Sequence, residues 1–155
     1  MILAATGHRP PALLGYSDEA FDRYVAIAEH ALIDHTPDAV ISGMAQGWDM
    51  AIATAAVKLE FPLHAYVAFE GVDRKWHPRD RRRFKALCDK AVKVVVVEKG
   101  KYAPWKLQAR NEAMVDACDR LAALWNGAEH GGTWNCLKYA TKRGKGWTNY
   151  WELLK

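Results

Sequence analysis

Three short stretches hold residues suited to gripping a phosphate. Thr6-Gly7-His8-Arg9-Pro10 sets a glycine beside a histidine and an arginine. Ser42-Gly43-Met44-Ala45-Gln46-Gly47-Trp48-Asp49 carries two glycines and ends on a carboxylate. Gly127-Ala128-Glu129-His130-Gly131-Gly132-Thr133 carries three glycines before a threonine. Glycine permits positive φ and close backbone approach. Where such a stretch runs into a helix, free N–H groups and the positive end of the helix dipole attract an anion. Taken singly, each stretch is equally well a tight turn between strand and helix. Three of them on one edge of a sheet argue for a site. Their spacing matches neither GxGxxG nor GxxxxGK[ST], which counts against the usual NAD and ATP sites.

Other candidates stand apart from these stretches. Arg110, followed by Asn111, could hold a phosphate bidentately. Read alone, it is a solvated arginine on a helix face. Asp49 is either a ribose ligand or, more commonly at such a place, a first-turn acid that suits the helix dipole. Arg74, Lys75, Arg79, Arg81, Arg82, Arg83 and Lys85 form a dense basic cluster. It reads first as a solvated helix face and second as an anion contact. Trp76, beside Lys75, could stack on a base or simply pack half-buried. Of the six histidines His8, in the first stretch, is the one candidate, and none shows metal-ligand spacing. No metal and no cofactor are expected.

These residues need a scaffold, and the hydrophobic pattern supplies one. Short apolar runs at Ile2 to Ala5, Ala39 to Ile41, Leu63 to Val67, Lys93 to Val97 and Arg120 to Trp125 predict strands. The four consecutive valines within Lys93 to Val97 predict the most deeply buried strand. Amphipathic runs predict helices over Asp18 to Asp34, Asp49 to Leu59, Asp80 to about Lys90, Pro104 to about Cys118, and Thr133 to about Lys142. Ser17 is a candidate N-cap for the first. The aromatic tail from Trp147 to Lys155 has no clear assignment. Strand–helix alternation implies an α/β fold of Rossmann-like, three-layer form. The expected sheet is mostly parallel, with about five strands, the first of them central. Ligands of such sheets bind outside the carboxyl ends of the strands, where the three glycine stretches fall.

The chain has 155 residues, half of them hydrophobic, a net charge of +4 and a pI near 9.0. That length fits one domain, residues 1–155. The charge suits a phosphate-bearing partner and is small for a protein that coats DNA. Nucleic acid is therefore expected not to be the main partner. Cys88, Cys118 and Cys136 are odd in number and lack CxxC spacing, which argues against a disulfide framework and a zinc ribbon. No apolar run approaches the roughly 20 residues of a membrane span. A cytoplasmic, soluble protein is expected. Seven tryptophans are more than one small core readily hides, and they predict a homo-oligomer, most simply a dimer.

Four segments together resemble the SLOG superfamily, which joins the DNA-processing protein DprA, the YpsA-like proteins and the LOG phosphoribohydrolases. They are Thr6 to Pro10; Ser42 to Asp49; Tyr102 to Trp105 running into Gln108 to Asp116; and Gly131-Gly132-Thr133-Trp134-Asn135-Cys136. Their order and content are most similar to small stand-alone YpsA-like members of bacteria and phages. The resemblance implies a Rossmann-like fold and a nucleotide-derived ligand. With the loop reading above it gives a binding set: Thr6, Gly7, His8 and Arg9; Ser42, Gly43, Gly47 and Asp49; Arg110 and Asn111; Gly131, Gly132, Thr133 and Asn135; to these the basic cluster adds Lys75 and Trp76. In LOG enzymes a glutamate follows the GGxGT stretch by three residues, and here that place holds Cys136.

Three functions follow, in order of expectation. The first is a sensor, carrier or sequestering protein for a nucleotide-type small molecule. The second is a nucleotide N-glycosidase of LOG type, with Asp49, Glu112 and Asp116 as its candidate acids. The third is a DprA-like binder of single-stranded DNA. Catalytic residues, and whether the ligand is hydrolysed, stay open. Arg110 is expected to bind phosphate and to matter little for folding.

Overall fold

The computed structural model describes Met1–Lys155. Its strands are β1 (Ile2–Gly7), β2 (Ala39–Ser42), β3 (Leu63–Phe69), β4 (Lys93–Glu98), β5 (Arg120–Leu124) and β6 (Gly146–Asn149). Its helices are α1 (Asp18–His35), α2 (Trp48–Lys58), α3 (Pro78–Lys90), α4 (Pro104–Ala117) and α5 (Gly131–Lys142). The strands form one parallel sheet in the order β4-β3-β2-β1-β5-β6. The α/β reading holds, with β1 inside the sheet and six strands where about five were expected. The extra strand, β6, comes from the unassigned tail and pairs with β5 from Arg120↔Gly146 to Ala123↔Asn149.

Two layers of helix cover the sheet. On one face, α1 and α2 pack over Leu3, Ala5, Val40 and Leu124. On the other, α4 and α5 pack over Ala4, Ile41, Tyr66 and Leu121 through Met114, Val115, Cys136 and Ala140. Alternate residues of β1 thus point into opposite cores, as strand geometry requires. Local chemistry sets the helix ends. Ser17 Oγ accepts from the Ala20 N–H at 3.0 Å and caps α1. Ala51, Ala55 and Ala56 are fully buried, so small side chains let α2 lie close against α1 and the sheet.

One expectation fails here. Lys93 to Val97 is not the most buried strand: β4 is an edge, with Val94 47% and Val96 50% exposed. Only Val95 and Val97 turn into a core, the one under α4. Composition marks a strand as apolar, but place in the sheet decides how much is covered. The helix that precedes β4, α3, buries only Asp80 and Leu87 and packs against α2.

The tryptophans pack largely within the chain. Trp48 is wholly buried. Trp125 stacks on Trp134 with centroids 5.1 Å apart, and Trp147 meets Trp125 edge-on. Trp76 packs on Phe84, and Trp151 on His8. Trp105 alone stands largely in solvent. The surplus aromatic surface from which a homo-oligomer was expected is absorbed within the chain. No helix is long and apolar enough to cross a membrane.

Candidate functional site

The sheet has its switch point at β1, which is flanked by β2 on one side and β5 on the other. Loops leaving neighbouring strands there turn to opposite faces and open a crevice at the carboxyl ends. The backbone ties this rim together. The Trp48 N–H donates to the His8 carbonyl at 3.3 Å, joining the loop after β1 to the one after β2. His8 Nε2 accepts from the Asn126 N–H at 3.1 Å, joining it to the loop after β5. Burial holds the His8 imidazole below its ordinary pKa, and that bond leaves the proton on Nδ1. His8 at neutral pH is thus an uncharged tie that retains one donor.

Two glycines on the rim are there for close packing. A Cβ on Gly7 would lie 2.5 Å from Cδ1 of the buried Trp48 ring, whose Nε1–H is fixed on the Ala122 carbonyl at 3.1 Å. A Cβ on Gly43 would lie 2.8 Å from Arg110 Cζ and 2.9 Å from Asp49 Oδ2. The Arg110 guanidinium therefore rests directly on the backbone at the end of β2.

Arg110 and Asp49 form the electrostatic centre of the crevice, both 6% exposed. Arg110 Nη1 donates to the Gly43 carbonyl at 2.5 Å and Nε to Asn111 Oδ1 at 2.9 Å. Its Nη2 makes no hydrogen bond within the chain. Asp49 accepts from the Ala45 N–H, while its Oδ1 is enclosed without any partner. Burial pushes the Asp49 carboxyl up to about 6, against the pull of the Arg110 charge. Arg110 is pulled below its ordinary value by the same burial. A buried arginine bonded to a backbone carbonyl also supports the fold, so the expectation that Arg110 matters little for folding does not stand.

Around this pair lies a cavity of about 310 Å³. Thr6, Gly7, His8 and Arg9 line it from β1 and its loop, and Asp49 from α2. Arg110 and Asn111 come from α4, and Gly132 and Thr133 from α5. The first turn of α5 has no side-chain cap, so its N–H groups open toward this space. The structure thus gathers nine of the expected residues in one cavity. Gly43 lines an adjoining cavity with Trp76.

Five expected residues do other things. Ser42 Oγ turns inward, donating to the Asp49 carbonyl at 2.7 Å and accepting from the Met44 N–H at 3.1 Å. Gly47 caps α2 at positive φ, against the loop after β1. Gly131, Asn135 and Lys75 are exposed and line neither cavity. Residues the sequence reading passed over are Phe69, Val72 and Leu107, while Ala45, Gln46 and Tyr102 were read only as parts of longer segments. Phe69 and Tyr102 end up on the rim through folding alone, since neither sits beside a glycine stretch.

Catalytic candidates narrow in the same way. Cys136 is fully buried, hydrogen-bonded with Thr6, and pushed by burial up to about 11, so it remains a thiol. Glu112 is held by Gln108, and Asp116 by Tyr139 and Arg143. Of the three candidate acids, Asp49 alone lines the cleft.

The basic cluster is largely paired. Arg79 meets Asp18 at 3.3 Å, Arg83 meets Asp80 at 3.1 Å, and Arg81 meets Asp73 at 3.6 Å. Arg74, Lys75 and Arg82 form no ion pair.

Comparison with solved structures gives the same fold. The DNA processing protein DprA from Streptococcus pneumoniae matches over 95% of this chain, with a TM-score of 0.67 and 16% identity. DprA from Helicobacter pylori, described with its single-stranded DNA binding mode, matches over 96% with a TM-score of 0.67 and 14% identity. This chain spans about half of the first of those chains (49%) and 64% of the second. The structural-genomics target TM1055 matches over 94% of this chain and 71% of its own, with a TM-score of 0.62 and 14% identity. The expectation that nucleic acid is not a main partner is overturned by these likenesses, because the shared scaffold includes one described as binding single-stranded DNA. The net charge on which that expectation rests averages over paired residues and says little about the few that are free.

In sequence, the chain is 28% identical over 138 residues to the uncharacterized SPbeta prophage-derived protein YoqJ of Bacillus subtilis, covering 78% of this chain and 80% of that one. With the four segments in place around one crevice, and the YpsA profile matching residues 3–151, the chain belongs to the YspA SLOG family.

Proposed function

We propose that the crevice at the carboxyl ends of β1, β2 and β5 binds a nucleotide-type, phosphate-bearing small molecule. The observation that carries this reading is the enclosed pair Arg110 and Asp49, facing the uncapped start of α5 across one cavity. The free Arg110 Nη2, the exposed Arg9 and the α5 N–H groups supply donors and positive potential for a phosphate. A neutral Cys136 in the place of the LOG glutamate favours binding over LOG-type hydrolysis.

The experiment is mass spectrometry of small molecules released from the purified protein, followed by calorimetry with the molecule found. Arg9 is exposed, so Arg9→Ala tests the site with little cost to the fold. Loss of a charge-assisted contact, roughly 1.5–3 kcal/mol, should weaken binding about ten- to a hundredfold with an unchanged thermal melt. Arg110→Lys should bind weakly too, since lysine keeps the charge and loses the fork. Unchanged affinity in both variants sinks the reading.

A second reading is supported by the fold likeness to DprA and by the unpaired Arg74, Lys75 and Arg82: a segment of single-stranded DNA crosses the same rim. Binding of an unstructured oligonucleotide with a steep salt dependence would favour it over the small molecule.

A further inference from the structure

Beside the polar cavity lies a second one of about 150 Å³, and the two share Arg9, Ala45, Leu107 and Arg110. They are two compartments of one cleft with opposite chemistry. The second is walled by Phe69, Val72, Trp76 and Tyr102, with Gln46 as its polar group. From these facts, and resting on the phosphate-site reading above, we infer that this compartment is a base subsite, which takes a planar heteroaromatic ring presenting an N–H donor.

The aromatic wall is built and partly uncovered. Phe69, at the end of β3, is 5% exposed, and Tyr102 meets it edge-on with centroids 6.0 Å apart. Tyr102 itself is 65% exposed, an unusual cost for a ring at a cleft mouth unless something covers it. Its loop is held in place. Lys106, 7% exposed, donates from Nζ to the Lys99 carbonyl at 2.6 Å and also to the Lys101 carbonyl. Trp76 is braced edge-on by Phe84. Rings fixed in this way offer stacking faces at little entropic cost.

Gln46 supplies the direction of reading. Its Nε2 donates to Asp80 Oδ2 at 3.1 Å, and a carboxylate can only accept. The amide is therefore oriented with its carbonyl oxygen free, and that oxygen can only accept from a ligand. A ring bearing an exocyclic amine or ring N–H meets this demand. The Arg110 guanidinium borders both compartments, so phosphate and ring lie on either side of it, as the two ends of a nucleotide do. The same unit can arrive as a free nucleotide or as one residue of a single strand.

The test uses the full chain and calorimetry with AMP, ribose 5-phosphate, the 5′-monophosphate of unsubstituted purine riboside, and a short oligo(dA). AMP should bind at least about tenfold more tightly than ribose 5-phosphate, since base–aromatic stacking contributes that much or more. It should also bind more tightly than the nucleotide that lacks the exocyclic amine. Tyr102→Ala should remove the advantage of AMP and leave ribose 5-phosphate affinity unchanged, while Tyr102→Phe should keep it. Oligo(dA) binding that outcompetes AMP and responds to Tyr102→Ala also supports the subsite and names the strand as its source. Equal affinity for AMP and ribose 5-phosphate overturns the base subsite and leaves the phosphate site standing. No binding of any of the four overturns both.

Discussion

Arg110 and the arginines of α3 carry the same charge in opposite surroundings. Arg110 is 6% exposed, rests on Gly43, and shares a cavity wall with the equally buried Asp49. Arg81 and Arg82 stand in open solvent, and the ion pair Arg81 makes with Asp73 spans 3.6 Å at the surface. Attraction between charges is several times stronger inside a protein than in water, and so is the cost of leaving one unmatched. Surface pairs contribute about 0–1 kcal/mol each. The density of a basic run is therefore a poor guide to where charge matters. The single arginine that a helix carries under a strand end outweighs the four that α3 carries.

The largest test of this contrast is Arg110→Ala. Breaking a buried charged contact costs about 3–5 kcal/mol, and the value here should fall near 3, because Asp49 can relieve its isolation by holding a proton. A melting temperature lowered by roughly 10 °C is expected from that loss. Arg82→Ala should change stability by less than about 0.5 kcal/mol. Equal melts for the two variants would break the comparison.

Asp49 sharpens it through pH. Its carboxyl titrates at about 6 in the folded chain and near the ordinary 3.8 when unfolded. Below about pH 4 both states hold the proton. Between about 4 and 6 the folded state keeps it while the unfolded state gives it up, so rising pH favours unfolding. The contribution is complete above about pH 6 and amounts to the order of 2–3 kcal/mol, at 1.36 kcal/mol per pKa unit. Asp49→Asn should remove this slope, so that its stability relative to the parent chain rises from pH 4 to pH 7. Denaturant titrations at several pH values check it.

A smaller effect is expected of Gly7→Ala. The added methyl meets a tryptophan that has no room to move, and overpacking costs about 1–3 kcal/mol. A melt lowered by about 5 °C, with Trp48 fluorescence altered, is the expected result. At Gly132, where a Cβ meets nothing within 4 Å, the same substitution should cost far less. If both behave alike, the crowding at the rim is not what holds it.

Much of this fold was legible in the chain. Strand and helix periods differ enough that alternation, helix limits and the Ser17 cap follow from local pattern. The glycine stretches mark strand ends because βα turns demand them, and topology then brings Thr6, Asp49, Arg110 and Thr133 to one cleft. The rings of Phe69 and Tyr102 carried no local mark of a site, and within its marked loop nothing singled out the oxygen of Gln46.

By itself the amino-acid sequence determined the α/β class, the order of elements, the loops that would meet at the carboxyl edge, and the family. Those are properties of neighbours along the chain and of residue type. Tertiary structure alone decided that β4 is an edge, that the tail adds β6, that the α3 arginines are mostly paired, and that Arg110 is buried on Gly43. The physical reason is common to all four: burial and charge pairing depend on which distant segment covers a residue, and no run of local sequence records its cover.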